Sequence, residues 1–144
     1  MNQALLSSKS VEWGTPEEIF RPLDREFRFE IDACATAENK KCDRFWSPDD
    51  DGLRMPWAPF RIWCNPPYGR QIAKWVRKAY EESLAGATVV MLIPARTDTA
   101  WWHDYVAKAE IRFLRGRVYF ISPGKKRDRA PFPSAVVVFR GPKT

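Results

Sequence analysis

A chain of 144 residues, 44% of them hydrophobic and 14% aromatic, has the length and the apolar content of one packed domain. Its 24 lysines and arginines outnumber 18 aspartates and glutamates, and the formal net charge of +6 favours either a polyanionic partner such as nucleic acid or a solvated basic surface. No apolar run approaches the roughly 18 residues of a membrane helix. Three separated cysteines and one histidine exclude a zinc site of the usual spacing and fit a reducing cytoplasm.

The first predicted helix follows a polar leader. Residues 1–12 have no periodic apolar pattern, and we expect them to be flexible. Thr15 is predicted to cap a helix that has Pro16 as its first residue and Glu18 as the capping-box partner. Apolar residues then recur at helical spacing, which predicts an amphipathic helix over 16–27.

The middle of the chain alternates strand and helix patterns around one long connection. Residues 27–35 are predicted to form a strand that ends near Asp32, and the irregular, charged stretch 36–59 follows it. A short strand within 61–69 leads into a proline-rich turn. Apolar residues at helical spacing then predict a helix over about 70–84.

The second half of the chain is rich in strands. The predicted elements are a central strand over 87–95, a helix over 97–109, strands over 110–116 and 118–121, a basic loop over 122–133 and a strand over 134–140. Alternation of strands and helices predicts an α/β fold with a mostly parallel sheet and helices on both faces. Ligands of such sheets lie outside the carboxyl ends of the strands, where polar clusters follow three of the predicted strands.

The most informative of these clusters is the turn Asn65-Pro66-Pro67-Tyr68. Two consecutive prolines fix the backbone and remove two amide donors, so that an asparagine oxygen and a proline carbonyl form a rigid pair of acceptors. Such a pair suits an exocyclic amine held by both of its hydrogens, and an aromatic ring next to it can stack on a flipped base. The alternative interpretation is a plain turn that ends a strand.

Six motifs in order are W-G-T-P, D-A-C-A, D-G-L, C-N-P-P-Y, M-L-I-P-A-R-T-D-T and R-F-L-R-G-R-V-Y-F. Together they resemble the phage-type DNA N-6-adenine methyltransferases, the Dam-like enzymes of bacteriophages and prophages. The resemblance covers about residues 11–141. It implies an abbreviated Rossmann-like methyltransferase fold in a single minimal domain over 13–144. It also implies S-adenosylmethionine as methyl donor, adenine in double-stranded DNA as acceptor, and a bacterial host cytoplasm as location.

The resemblance also assigns roles to residues. Asn65 and the Pro66 carbonyl would hold the adenine amine within the catalytic Asn65–Tyr68 turn, and Tyr68 would stack on the base. The residues expected at the donor are Trp13, Thr15, Pro16, Asp32, Ala33, Cys34, Ala35, Asp51 and Asn65. Which of Asp49, Asp50 and Asp51 meets the adenosine stays open. The short spacing from Asp32 to Asp51 leaves no room for a full helix and second strand.

Basic side chains near the end of the chain are the predicted DNA contacts, because clustered positive charge on a loop suits phosphates. They are Arg96, Arg115, Arg117, Lys125, Lys126, Arg127 and Arg129. No membrane or metal is expected, and a homodimer stays open. Two other functions also stay open: a catalytically lapsed nucleic-acid-binding protein of the same fold, and an amino-methyltransferase that acts on RNA or protein glutamine.

Overall fold

The computed structural model describes residues 13–141, so the predicted leader 1–12 and the last three residues lie outside the described part of the chain. The first helix, α1, spans Glu17–Phe27, and the predicted capping box at its start is wrong. Pro16 is the cap residue, with an extended backbone, and its carbonyl accepts the first helical hydrogen bonds from Ile19 and Phe20. Because the Pro16 backbone is itself extended (φ −66°, ψ 146°), Pro16 takes the cap position and Thr15 lies one residue before it.

Eight strands and two further α-helices follow α1 in the described residues. The strands are β1 (Ile31–Asp32), β2 (Arg44–Phe45), β3 (Arg61–Cys64), β4 (Thr88–Pro94), β5 (Glu110–Phe113), β6 (Tyr119–Ile121), β7 (Arg127–Arg129) and β8 (Ser134–Phe139). The helices are α2 (Ile72–Leu84) and α3 (Ala100–Asp104), and short 3₁₀ turns span Gly52–Arg54 and Val106–Lys108.

Six strands form one sheet in the order β2-β1-β3-β4-β8-β5. The pairs β2-β1, β1-β3 and β3-β4 are parallel, whereas β8 runs antiparallel to both of its neighbours. The α/β class is therefore confirmed, with a mixed sheet that is parallel on one side. The chain passes from β1 outward to β2 and then returns to β3 on the other side of β1. This reversal places a ligand crevice outside the carboxyl ends of β1 and β3.

Helices cover both faces of this sheet. Strand register places Trp63 and Val138 on one face, where Phe20 of α1 contacts the Trp63 ring edge-on at 5.2 Å. Phe139 therefore points to the opposite face, and its ring lies 6.4 Å from Tyr80 of α2. The aromatic side chains of the two helices thus enclose an apolar sheet and fix the strand ends that carry the polar clusters.

Three predicted elements differ from the structure. The strand expected over 27–35 is only Ile31–Asp32, because Arg28 ends α1 in the left-handed conformation and Asp24 accepts the Phe29 amide. The helix expected over 97–109 breaks at Tyr105, where the backbone leaves helical geometry. The expected basic loop over 122–133 contains β7, which pairs with β6 in a separate two-stranded hairpin.

Candidate active site

The Asn65–Tyr68 turn lies directly after β3, at the carboxyl edge of the sheet. Both prolines are buried, and Asn65 is half-buried. The Tyr68 hydroxyl oxygen lies 2.7 Å from Asn65 Oδ1 and 2.9 Å from the carbonyl oxygen of Leu92 in β4. Burial raises the pKa of Tyr68 well above its ordinary value, so this hydroxyl keeps its proton at neutral pH.

The Tyr68 ring is enclosed in the structure. Only 2% of the residue is exposed, and the rings of Phe120 and Phe132 meet it edge-on at centroid distances of 6.0 and 5.7 Å. Phe120 belongs to β6, so the base of the β6–β7 hairpin covers the turn. The predicted stacking of Tyr68 on a base would require this cover or the ring itself to move.

Asp32, at the end of β1, is almost fully buried, with 2% exposure. Its Oδ1 accepts the Cys34 amide at 3.2 Å and its Oδ2 accepts the Lys41 amide at 3.0 Å. The carboxylate therefore closes the loop between β1 and residue 41. Burial outweighs these two hydrogen bonds and raises the pKa of Asp32 to about 7.

The loop after β1 has no glycine of its own. A glycine from another segment of the chain packs closely against its backbone. The backbone of Gly52 packs so tightly against this loop that an added Cβ would lie 2.3 Å from the Ala33 carbonyl oxygen and 2.9 Å from the Trp75 ring. The Ala33 amide in turn donates to the Trp63 carbonyl at 2.9 Å. Sequence reasoning missed this contact, although the D-G-L motif contains the glycine.

A cavity of about 350 Å³ lies beside the same loop. Its walls include Cys34, Trp46 and Pro67 from three different loops, together with Asp51. The Asp51 side chain accepts the Leu53 amide at 3.2 Å. Of the three consecutive aspartates only Asp51 lines this cavity. The short spacing predicted no room for a full helix and second strand; the structure has a second strand of only two residues, β2, and no helix between β1 and β2.

A small cleft of only about 10 Å³ also borders Cys34 and brings together residues that are far apart in sequence. Five of the residues predicted to contact the donor line this cleft: Trp13, Thr15, Asp32, Cys34 and Asn65. Thr15 is 1% exposed, and its hydroxyl has no hydrogen-bond partner in the described residues. Because Cys34 lines both spaces, the cleft and the larger cavity adjoin; Pro16 and Ala35 line neither.

The predicted DNA-binding residues are spread around the hairpin. Lys125 and Lys126 lie in its turn, whereas Arg127 forms an ion pair with Glu18 of α1. Arg96, two residues after the end of β4, lies over the Phe132 ring at 5.5 Å.

The hairpin also pairs with the segment before α1. The Gly14 amide donates to the Ile121 carbonyl at 2.7 Å, and the Ile121 amide donates back at 2.9 Å. A cavity of about 660 Å³, lined in part by Lys40, Lys41 and Lys125, opens between the hairpin and the loop after β1. The basic hairpin is thus attached directly beside the narrow cleft.

The described residues contain no group of His, Cys, Asp or Glu that could hold a metal ion. Within 13–141, no helix has the length and apolarity needed to cross a membrane.

Taken together, the fold and the pockets define an α/β protein whose candidate ligand site lies at a topological switch point, beside the Asn65–Tyr68 turn. A family model described as "DNA N-6-adenine-methyltransferase (Dam)" matches residues 3–143. The chain belongs to this family, and the resemblance stated from its motifs is confirmed.

Two phage proteins are similar to the chain, and both are described as DNA N-6-adenine-methyltransferase. The chain is 36% identical over 94 residues to the protein of Escherichia phage T1. The matched segment covers 64% of this chain and 39% of the phage T1 protein. It is 30% identical over 133 residues to the protein of Haemophilus phage HP1 (strain HP1c1). This match covers 88% of this chain and 77% of the phage HP1 protein.

Proposed function

We propose that the chain transfers a methyl group from S-adenosylmethionine to the exocyclic amine of adenine in DNA, within an abbreviated Rossmann-like fold. One observation carries the proposal: in a member of this family, Thr15, Asp32 and Asn65 line one cleft at the switch point of the sheet. The donor supplies an activated methyl group on a sulfonium, so the protein has to contribute alignment and electrostatics.

The larger cavity fits the adenosine part of such a donor. The cavity with Trp46, Asp51 and Pro67 offers apolar walls and a carboxylate to the adenosine part, and its size of about 350 Å³ lies within the range of small-molecule sites. On widening, the adjoining cleft, which measures only about 10 Å³ in this structure, would offer the buried Asp32 carboxylate to an ammonium group. It also offers the unpartnered Thr15 hydroxyl to a carboxylate.

The acceptor would be held by the Asn65–Tyr68 turn. Asn65 Oδ1 and the Pro66 carbonyl would accept the two hydrogens of the adenine amine, and the two prolines keep the backbone from adjusting. Asn65 lines the same cleft as Asp32, which would bring the amine and the donor into line. No side chain has to remove a proton before the transfer, since the amine can lose it afterwards to water.

The partner that we assign is double-stranded DNA, with the β6–β7 hairpin as the main contact. Lys125 and Lys126 lie in its turn and would contact phosphates, which position DNA without selecting a sequence. Arg127 already pairs with Glu18, so its first task would be to hold the hairpin against α1. Similarity to phage proteins supports a bacterial host cytoplasm as the place of action.

The test is methylation of unmethylated plasmid DNA by the purified chain with a radiolabelled donor, followed by nuclease digestion and chromatography of the nucleosides. We expect label in N6-methyladenine, and Asn65→Ala serves as the matched inactive variant. Label that enters only RNA or protein would replace the acceptor in the proposal. DNA binding without any donor binding would instead indicate a lapsed enzyme that retains the fold.

A further inference from the structure

The backbone at Asp51 has a conformation that residues with a side chain rarely adopt. Its φ of 58° and ψ of 89° lie in the left-handed region, and such a conformation persists only where surrounding groups hold it. The Asp51 amide donates to the Ser47 carbonyl at 3.0 Å, and the Asp51 carbonyl accepts the Arg54 amide at 2.9 Å. Asp51 Oδ1 accepts the Leu53 amide at 3.2 Å, which leaves Oδ2 for a ligand in the cavity of about 350 Å³.

Trp57 joins this local turn to the core of the protein. Its indole Nε1 donates at 2.8 Å to the carbonyl of Gly52, in the 3₁₀ turn that follows Asp51. Trp57 is fully buried, with 0% exposure, and its ring lies 6.4 Å from that of Trp46 and 6.1 Å from that of Trp75. Because Gly52, Trp46 and Trp75 all line the cavity, one side chain behind the cavity supports three of its walls.

The backbone of Trp57 is fixed from the side that faces away from this turn. Glu82, near the end of α2, accepts the amides of Trp57 and Ala58 with the same oxygen, Oε1, at 2.5 and 2.9 Å. Lys78 Nζ lies 3.6 Å from Oε2 of this carboxylate, and both side chains are only 20% exposed. The indole therefore projects from a segment that is attached to a helix, a rigid support that can set the position of the turn.

We propose that Trp57 is a positioning residue of the methyl-donor site: its indole N–H holds the turn Gly52–Arg54 so that Asp51 presents Oδ2 to the ribose hydroxyls of the bound donor. The inference rests on the proposed function for the identity of the ligand, and it adds a residue that does not touch that ligand. A carboxylate suits hydroxyls because its oxygens only accept hydrogen bonds. When the carboxylate is already directed at them, binding does not bear the free-energy cost of ordering a loop.

The first test removes the indole N–H and keeps an aromatic ring. Trp57→Phe does this, and Trp102→Phe is the matched control, since Trp102 is 5% exposed, belongs to α3 and does not line the cavity. The probe is S-adenosylhomocysteine, the demethylated product of the donor, in calorimetric titrations at a temperature at which all variants are folded. We expect Trp57→Phe to weaken binding about tenfold, the weight of about one hydrogen bond, and Trp102→Phe to change it less than about twofold.

The second test separates positioning from packing. The probe is the analogue of S-adenosylhomocysteine that lacks both ribose hydroxyls. The unmodified protein should prefer S-adenosylhomocysteine to this analogue by about tenfold, and the preference should fall below about threefold in Trp57→Phe. Asp51→Gly, which suits the left-handed backbone and removes the carboxylate, should lower the preference equally. A packing function alone leaves the orientation of Asp51 as it is, so an unchanged preference in Trp57→Phe would overturn the inference.

A third measurement uses the unmodified protein and does not depend on the folding of any variant. The chain has seven tryptophans, so ¹⁵N-tryptophan labelling gives seven indole signals. S-Adenosylhomocysteine should slow solvent exchange of the Trp57 indole proton more than that of Trp102, because bound ligand suppresses local opening of the turn. Equal slowing of both protons would overturn the inference.

Failure of this inference and failure of the proposed function give different results. If the unmodified protein does not bind S-adenosylhomocysteine, the proposed donor site is overturned and the inference with it. If it binds normally and Trp57→Phe changes neither the affinity nor the preference for the ribose hydroxyls, the inference alone is overturned.

Discussion

Asp32 offers a prediction whose sign can be worked out from the structure. Its ordinary pKa of 3.8 applies to the unfolded chain, and burial raises it to about 7 in the folded protein. Between these two values the folded state binds a proton that the unfolded state has released. The free energy of unfolding should therefore decrease as the pH rises through this window and level off above about pH 7.

The size of this effect follows from the same shift. A difference of about three pH units corresponds to roughly 4 kcal/mol in total, at about 1.4 kcal/mol for each unit. The carboxylates of Glu18, Glu26, Glu82 and Glu110 have lowered pKa values, so the stability that they contribute is lost only as the pH falls below about 4.5. The interval between pH 5 and 7 is therefore where the raised pKa of Asp32 should act.

The assay is urea unfolding of the unmodified protein and of Asp32→Asn at several pH values between 5 and 8. The variant should be less stable at low pH, because an asparagine cannot accept both the Cys34 and the Lys41 amides. The slope is the diagnostic quantity: we expect a decline with pH in the unmodified protein and a flat line in the variant. Parallel slopes for the two proteins would refute a raised pKa at Asp32.

Donor binding gives the same group a second readout. If an ammonium group of the donor meets Asp32, binding requires the ionised carboxylate, so affinity should rise with pH up to about 7 and become nearly constant above it. Titration calorimetry in two buffers of different ionisation enthalpy would detect the released proton at pH 6. Affinity that falls as the pH rises would show that the neutral acid is the form that binds.

Three further predictions concern other parts of the site. Gly52→Ala should destabilise the chain by about 1–3 kcal/mol, since its Cβ would lie 2.3 Å from the Ala33 carbonyl oxygen, and the thermal midpoint with and without donor tests this. Gly124→Ala is the control, because its Cβ would meet only the Ser122 hydroxyl at an ordinary contact distance of 3.9 Å. Equal midpoints for the two variants would contradict the close contact at Gly52. Replacing Lys125 and Lys126 by alanine should reduce the slope of log affinity for DNA against log salt by about 2 for any DNA sequence. Glu18→Gln, which releases Arg127 from its ion pair, is the control and should not reduce that slope. An unchanged slope in the double variant would remove the hairpin from the DNA interface. Asn65→Ala should lower the single-turnover rate by about 10²–10³-fold with little change in donor affinity, and a rate equal to that of the unmodified protein would exclude the turn as the active site.

How much of this site the sequence could predict depends on the range of the interactions involved. The position of Asn65 and Asp32 at strand ends follows from local apolar patterns, because a strand and the turn after it are adjacent in sequence. The pairing of β7 with β6 was not predicted, since glycine and prolines in the connecting segment indicated a loop. Thr15 shows the opposite error: its local pattern is typical of a helix cap, but the extended Pro16 is the cap residue, and the Thr15 hydroxyl is buried at the cleft instead.

The contacts that set the chemistry are those that no local pattern contains. Gly52 lies close to the backbone of the loop after β1, a contact that a glycine within that loop would otherwise allow. This contact forms only because the 3₁₀ turn that contains Gly52 folds back onto Ala33. Leu92 likewise enters the site only because β4 lies beside β3 in the sheet, which brings its carbonyl to the Tyr68 hydroxyl. A motif can therefore indicate which residues react, whereas their orientation depends on neighbours that the sheet topology supplies.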